Sequence, residues 1–393
     1  MKPPARLFLA RVLLWLMAAT SGSARDYWVY VGTYTEGRSQ GIYISRLNAE
    51  DGRLSPPALA ASTPDPAYLA LGPDQKCLYA VNELPGGKFG TVSAYAIQPS
   101  SGQLEFLNQK SAGGAGSCYV SADHSGRELL VANYAGGSIQ SLPILKDGRL
   151  GEGGSFIQYQ GRSVNPVRQT APHAHCLEAD PSNHFALGCD LGTDRVMIYQ
   201  LNSAKATLLA NHPPFGTAPP GSGPRHLVFS RDGAFVYVVN EMACTVSVFD
   251  WNRVAGKLTW RASISALPDG VTAQPDFTAA EMVQSPSGRF LYVSVRGHDS
   301  ISVFAIEERT GGLHLIQNVS SGGKAPRGLG MDPTGRWLLA GHQKSDNVVE
   351  FAINPATGKI KALPAQIVIG APVDFKFVAV VPGIFNRPSA PDF

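Results

Sequence analysis

Residues 223–251 read Gly-Pro-Arg-His-Leu-Val-Phe-Ser-Arg-Asp-Gly-Ala-Phe-Val-Tyr-Val-Val-Asn-Glu-Met-Ala-Cys-Thr-Val-Ser-Val-Phe-Asp-Trp. A first apolar run, His226 to Ser230, meets the turn Arg231-Asp232-Gly233, with glycine where a tight hairpin needs it. A second run ends at Asn240-Glu241, a third spans Thr245 to Trp251, and Gly256-Lys257-Leu258 opens a fourth. Runs of this length and pattern, separated by such turns, are β-strands joined as hairpins. The stretch therefore encodes a four-stranded antiparallel sheet.

The end of the second run recurs along the chain. It is Tyr-Ala-Val-Asn-Glu at 79–83, Val-Ala-Asn-Tyr at 131–134, Leu-Gly-Cys-Asp at 187–190 and Val-Val-Asn-Glu at 238–241. Val-Ser-Val-Arg at 293–296, Ala-Gly-His-Gln at 340–343 and an earlier Tyr-Val-Gly-Thr at 30–33 fit the same place. The anchors Gly32, Asn82, Asn133, Asp190, Asn240, Val295 and His342 lie 50, 51, 57, 50, 55 and 47 residues apart. Further turns at Ser125-Gly126, Pro286-Ser287-Gly288 and Pro333-Thr334-Gly335 keep the same phase. Seven units of this size predict an all-β fold, a seven-bladed β-propeller of four-stranded antiparallel blades. The first unit, Tyr27 to Tyr34, lacks a strand before it, and residues 373–378 are an orphan strand after the last unit. The C-terminal strand is thus expected to complete the first blade and close the ring, leaving no long edge unpaired.

Composition agrees with an all-β chain and narrows the partners. Gly 42 and Pro 29 suit many tight turns, and a net charge of +3 gives no electrostatic case for a nucleic-acid partner. Lys2, Arg6 and Arg11 precede or flank the apolar run Val12 to Ala19, and Gly22-Ser23-Ala24 follows. This is the pattern of a secretory signal cleaved after Ala24, and the run is shorter than the roughly 20 residues a membrane anchor needs. The expected organisation is a leader over 1–24 and one propeller over 25–393, periplasmic or secreted and not membrane-bound once the leader is removed. The five cysteines, Cys77, Cys118, Cys176, Cys189 and Cys244, are an odd number within apolar runs, as buried thiols would be. A Cys176–Cys189 pair across a hairpin stays open.

In an antiparallel blade the start of strand one and the end of strand two share an edge, and strand one lines the channel. Those positions from all seven blades converge on one mouth, a natural concave site. The first set reads Ala67, Cys118, His175, Arg225, Ala280, Arg327 and Val373; the second reads Thr33, Glu83, Tyr134, Leu191, Glu241, Arg296 and Gln343. Asn82, Asn133, Asp190, Asn240 and His342 come just before the second set. Three arginines, a histidine and two glutamates around one opening suit an anionic substrate and acid–base or charge-stabilised chemistry. Arg225 and Glu241 bracket one hairpin and make either a structural clamp or a reacting pair.

His173 and His175 have the period-two spacing of one strand face, but they lack the further ligands a metal needs, so neither a metal nor a cofactor is expected. His175 shares the position of Arg225 and Arg327, which makes it the active-site candidate of the two. His226 follows Arg225 directly and is expected to alternate to the opposite side as a core residue. The Gly- and Pro-rich connections 161–172, 208–223 and 267–278, carrying Arg162, Arg168 and Phe215, are expected to run over the mouth.

Nine motifs then resemble the lactonase seven-bladed propeller family. They are Tyr-Val-Gly-Thr-Tyr-Thr (30–35), Val-Asn-Glu (81–83), Ala-Asn-Tyr-Ala-Gly-Gly-Ser (132–138), Pro-His-Ala-His (172–175) and Asp-Leu-Gly-Thr-Asp-Arg (190–195). Gly-Pro-Arg-His (223–226), Val-Asn-Glu (239–241), Arg-Gly-His-Asp-Ser-Ile (296–301) and Ala-Pro-Arg-Gly (325–328) complete the set. The family includes the propeller type of 6-phosphogluconolactonase and the fungal carboxymuconate cycloisomerases. The resemblance implies a site of His175 (or His173), Arg225, Glu241 and Arg296, with Glu83, Asn133, Tyr134 and Arg327 as further binding contacts. It implies a hydrolase acting on a small anionic or sugar-derived lactone, with Glu241 or His175 as base and Arg225 and Arg296 holding the anion. The protein is expected to work as a monomer. The alternatives are an intramolecular lyase of the cycloisomerase type and a non-catalytic binding scaffold. A leader sequence sits poorly with a phosphorylated cytosolic substrate, which leaves open an unphosphorylated sugar acid lactone.

Overall fold

The computed structural model describes residues 26–381, so the expected leader and its cleavage site lie outside the described residues. Those residues form 28 strands in seven four-stranded antiparallel sheets. Counting from the N-terminal sheet, the innermost strands of blades 2 to 7 are Pro66–Leu71, Ser117–Ala122, Ala174–Ala179, Pro224–Phe229, Thr278–Gln284 and Pro326–Met331. Each packs on the innermost strand of the next blade. Pro326–Met331 meets Pro372–Ala379, which meets Pro66–Leu71 in turn. The seven blades thus close a ring.

The C-terminal strand does complete blade 1. Pro372–Ala379 pairs antiparallel with Tyr27–Thr33, placing Val31 opposite Phe375, and the Asp374 carboxylate accepts the Leu69 amide of blade 2 at 2.8 Å. Second strands are apolar almost throughout because a blade is buried on both faces by its neighbours. Phe235–Asn240 is buried at all six positions. Inter-blade contacts repeat as well: the hydroxyls of Tyr30, Tyr79 and Tyr292 donate to the carbonyls of Gly102, Gly148 and Gly358 in the following blades. Cys176 and Cys189 face each other across the blade 4 hairpin, and both are free thiols.

One irregularity recurs in every blade. Opposite the last residues of strand two, strand one carries one residue too many. In blade 5, Pro224 pairs with Asn240 and His226 with Val239, which leaves Arg225 unpaired. His175, Arg327, Cys118, Ala67 and Val373 occupy the same place, and in blade 6 Ala280 and Glu281 together face Ser294. Such bulges re-aim side chains and break alternation. The expected alternation between Arg225 and His226 is therefore lost, although His226 is buried in the core as expected. Its ring lies 5.0 Å from that of His175, the Arg225 guanidinium touches it at 3.2 Å, and it pairs with Glu281 at 2.9 Å. The turn entering the bulge uses a left-handed residue in several blades, and Gly223, at φ +67°, provides it before Pro224.

The bulge also corrects the register of blade 1. Thr33, not Gly32, pairs like Asn82 and Asn240, so Tyr34 rather than Thr33 stands where Glu83 and Glu241 stand. The slip arises because the innermost strand of blade 1, Pro372–Ala379, comes from the far end of the sequence, so no hairpin sets the phase. A second correction concerns residues 208–223: Thr207–Thr217 is the outer strand of blade 4, and Phe215 lies under the Arg195 guanidinium at 4.2 Å.

Glu128 opens the second strand of blade 3 fully buried. Neither carboxylate oxygen has a hydrogen-bond partner among the described residues, and the nearby Ser141 hydroxyl donates to the Ala206 carbonyl instead. Burial raises its pKa from the ordinary 4.5 to about 7. Below pH 4.5 the carboxyl is neutral in both folded and unfolded chains. Between there and pH 7 only the unfolded chain ionises freely, so stability falls as pH rises and then levels, by roughly 3 kcal/mol for this group. Glu128→Gln should flatten that slope. Thermal midpoints of both proteins at pH 5 and 7.5 check it, and parallel slopes would exclude Glu128 as the cause.

Candidate active site

A cavity of about 350 Å³ opens where the blades converge. Strand-two ends supply Tyr34, Glu83, Tyr134, Glu241 and Arg296, while the strand-one bulges supply Cys118, His175 and Arg327. Thr278 and, from the 161–172 connection, Arg168 complete the lining. The volume is at the lower end of small-molecule sites, roughly 300–1,000 Å³.

Glu241 is the electrostatic centre. Its Oε1 accepts from Arg168 Nη2 at 2.7 Å, and its Oε2 lies 3.2 Å from Arg225 Nε and 3.0 Å from Arg296 Nη2. Burial alone would raise its pKa, but the charges of Arg296 and Arg225, helped by the bond from Arg168, outweigh that and hold it far below the usual carboxylate range. Glu241 is ionised at any working pH. His175 moves the other way for a base: burial first, then the charges of Arg225 and His226, depress its pKa well below 6.5 against a smaller opposing pull from Glu241. The imidazole is neutral at pH 7. Its Nδ1 lies 3.8 Å from the thiol of Cys118, whose pKa burial raises, so the sulfur keeps its proton.

Arg296 is buried enough to pull its pKa down to about 10, opposed by Glu241 and reinforced by Arg225 and Arg327. Its Nε has no partner among the described residues. Arg327 stacks over the Tyr34 ring at 5.4 Å, and the Tyr34 hydroxyl donates to Glu83 at 2.6 Å. Arg168 Nη2 also donates to the Tyr134 hydroxyl at 2.9 Å.

The residue profile described as "Lactonase, 7-bladed beta-propeller" matches residues 28–377. The chain belongs to the seven-bladed β-propeller lactonase family. It is 35% identical to the 6-phosphogluconolactonase of Bacillus subtilis over 349 residues, 89% of this chain and 97% of that one. The 6-phosphogluconolactonase of Formosa agariphila is 30% identical, over 87% of this chain and 96% of the relative. Among solved structures, the periplasmic gluconolactonase of Pseudomonas aeruginosa superposes with a TM-score of 0.85 at 36% identity, over 91% of this chain and 100% of that one.

Within this lactonase the structure sorts the sequence candidates. It brings together His175, Glu241, Arg296, Arg327, Glu83 and Tyr134 in one lining. Arg225 is placed beneath it, its side chain 3% exposed and its guanidinium occupied by Glu241, the Ala280 carbonyl at 2.6 Å and His226, so it supports the site instead of holding an anion. Asn133 is not a binding contact. It is fully buried, accepting from Ser117 at 2.7 Å and donating to the Ala112 carbonyl at 2.9 Å. Asn82, Asp190, Asn240 and His342 are likewise buried and bonded to nearby residues of the chain. His173 stands behind Tyr134, its ring stacked on the tyrosine at 4.5 Å and its Nδ1 3.0 Å from the Tyr134 carbonyl oxygen. Tyr34 and Thr278 were not singled out from sequence, and Arg168 only as part of a connection.

Proposed function

We propose that this protein is an exported lactonase that opens a sugar lactone with water, using His175 as general base. The observation that carries the reading is a neutral, buried imidazole sharing one small cavity with a carboxylate that three guanidiniums hold ionised. Water bound between His175 and the lactone carbonyl gives a proton to the imidazole as its oxygen bonds to carbon. Arg296 and Arg327 offer donors to the developing oxyanion, a role suited to preorganised cations in a buried site. The imidazolium, steadied by Glu241, returns the proton to the ring oxygen as the carbon–oxygen bond breaks, leaving a hydroxy acid. Glu241 itself is too weak a base, since its charge is shared among Arg168, Arg225 and Arg296. Its part is to order those arginines.

Export is supported by the leader-like residues 2–24 and by the likeness to a periplasmic gluconolactonase. Enzyme recovered by osmotic shock should release acid from glucono-1,5-lactone or 6-phosphoglucono-1,5-lactone well above the buffer rate at pH 7. Hydrolysis of neither of these nor of a glycosylated aldonolactone overturns the lactonase reading, and recovery only from the cytosol overturns export.

A further inference from the structure

The cavity at the mouth has a neighbour. A second cavity of about 390 Å³ lies on the same face and shares Tyr34 and Glu83 with the first as lining residues. It is bounded by the mouth-side ends of blades 1, 2, 3 and 7 and by the Leu84-Pro85-Gly86-Gly87 turn. The two lobes differ in chemistry. The first holds Arg168, Arg296 and Arg327; no lysine or arginine lines the second, where Glu36, Asp65 and Glu83 bring carboxylates and Gln343 an amide.

We infer that this second lobe is a glycosyl subsite, and that the enzyme takes aldonolactones carrying a further sugar unit. The inference rests on the lactonase reading and extends it. The lactone carbonyl and the carboxylate it becomes belong beside the arginines and His175. A substituent reaching past Tyr34 and Glu83 then enters a lobe of hydrogen-bond acceptors, which suits donor hydroxyls and repels a phosphate. The Tyr34 ring, fixed through its hydroxyl to Glu83, offers an apolar wall for the face of a sugar ring. Gly86 and Gly87, at φ +72° and +71°, leave that side of the lobe without side chains.

The test compares kcat/KM for cellobiono-1,5-lactone, glucono-1,5-lactone and 6-phosphoglucono-1,5-lactone on the full protein. The disaccharide lactone is expected to lead by at least about tenfold, the effect of two net hydrogen bonds. Glu36→Ala with Gln343→Ala, neither of which lines the cavity of His175 and the arginines, should remove that lead while leaving the glucono-lactone rate within about twofold. Equal rates, a lead for the phosphorylated lactone, or a lead that survives the double variant would overturn the subsite and leave the lactonase reading standing. Hydrolysis of none of the three would overturn both.

Discussion

Glu241→Gln should lower kcat on glucono-1,5-lactone by about 1,000-fold, the scale on which a lost oxyanion donor acts. Three charges depend on this carboxylate. Arg225 and Arg296 are buried beside it, and Arg168 reaches it from the connection above. An amide of the same shape keeps the volume and removes the counter-charge. The buried guanidiniums of Arg225 and Arg296 then repel one another with little screening by water, and Arg296 leaves the position from which it is proposed to meet the oxyanion. A second loss adds to the first, because Glu241 is what partly sustains the proton affinity of His175. Breaking a buried pair by removing one partner also costs about 3–5 kcal/mol of stability, so the melting temperature should drop too. Glu241→Asp keeps the charge on a shorter arm and should fall between the two proteins in both measurements. Acid-release kinetics and thermal melts check this. A folded Gln variant with kcat within tenfold of the parent would deny Glu241 its ordering role.

What the sequence made legible follows from what repeats. The seven units, the four strands in each and the closing strand, read at 373–378 and found at 372–379, were readable because every blade must bury both faces, which writes one apolar pattern seven times. Glu83, Tyr134, Glu241 and Arg296 were readable because they interrupt that pattern at one phase, and His175 and Arg327 because they do so at a second. The bulge was not, since an extra residue in strand one leaves no mark in an alternation only six residues long. Without it, the contact between Arg225 and His226 is not foreseeable. Asn133 was misplaced for another reason: a polar residue after an apolar run marks a rim contact and an internal clamp equally well, and only the partners Ser117 and Ala112 tell them apart. Arg225 shows the same ambiguity, as a guanidinium at the right phase can line a cavity or brace a carboxylate from below. Arg168 lies in an irregular segment with no period, so nothing local announces its 2.7 Å contact with Glu241.

The division of labour between His175 and Glu241 has its sharpest consequence in the pH dependence. A base must be unprotonated, so kcat/KM should hold constant from neutrality downward and fall only where His175 takes up a proton, below the ordinary 6.5 because burial and the neighbouring charges of Arg225 and His226 oppose its cationic form. Glu241 contributes no limb in that range, since its pKa is held far lower. Replacing His175 with Asn keeps a polar side chain at the bulge and removes proton transfer. We expect kcat to fall by roughly 100- to 10,000-fold, the range over which general bases act, with KM changed little because Arg296 and Arg327 remain. The acid limb should vanish with the histidine, leaving a residual rate flat across the acid range in which the parent enzyme falls. If the limb persists unchanged in the Asn variant, the base is another group and the role proposed for His175 falls.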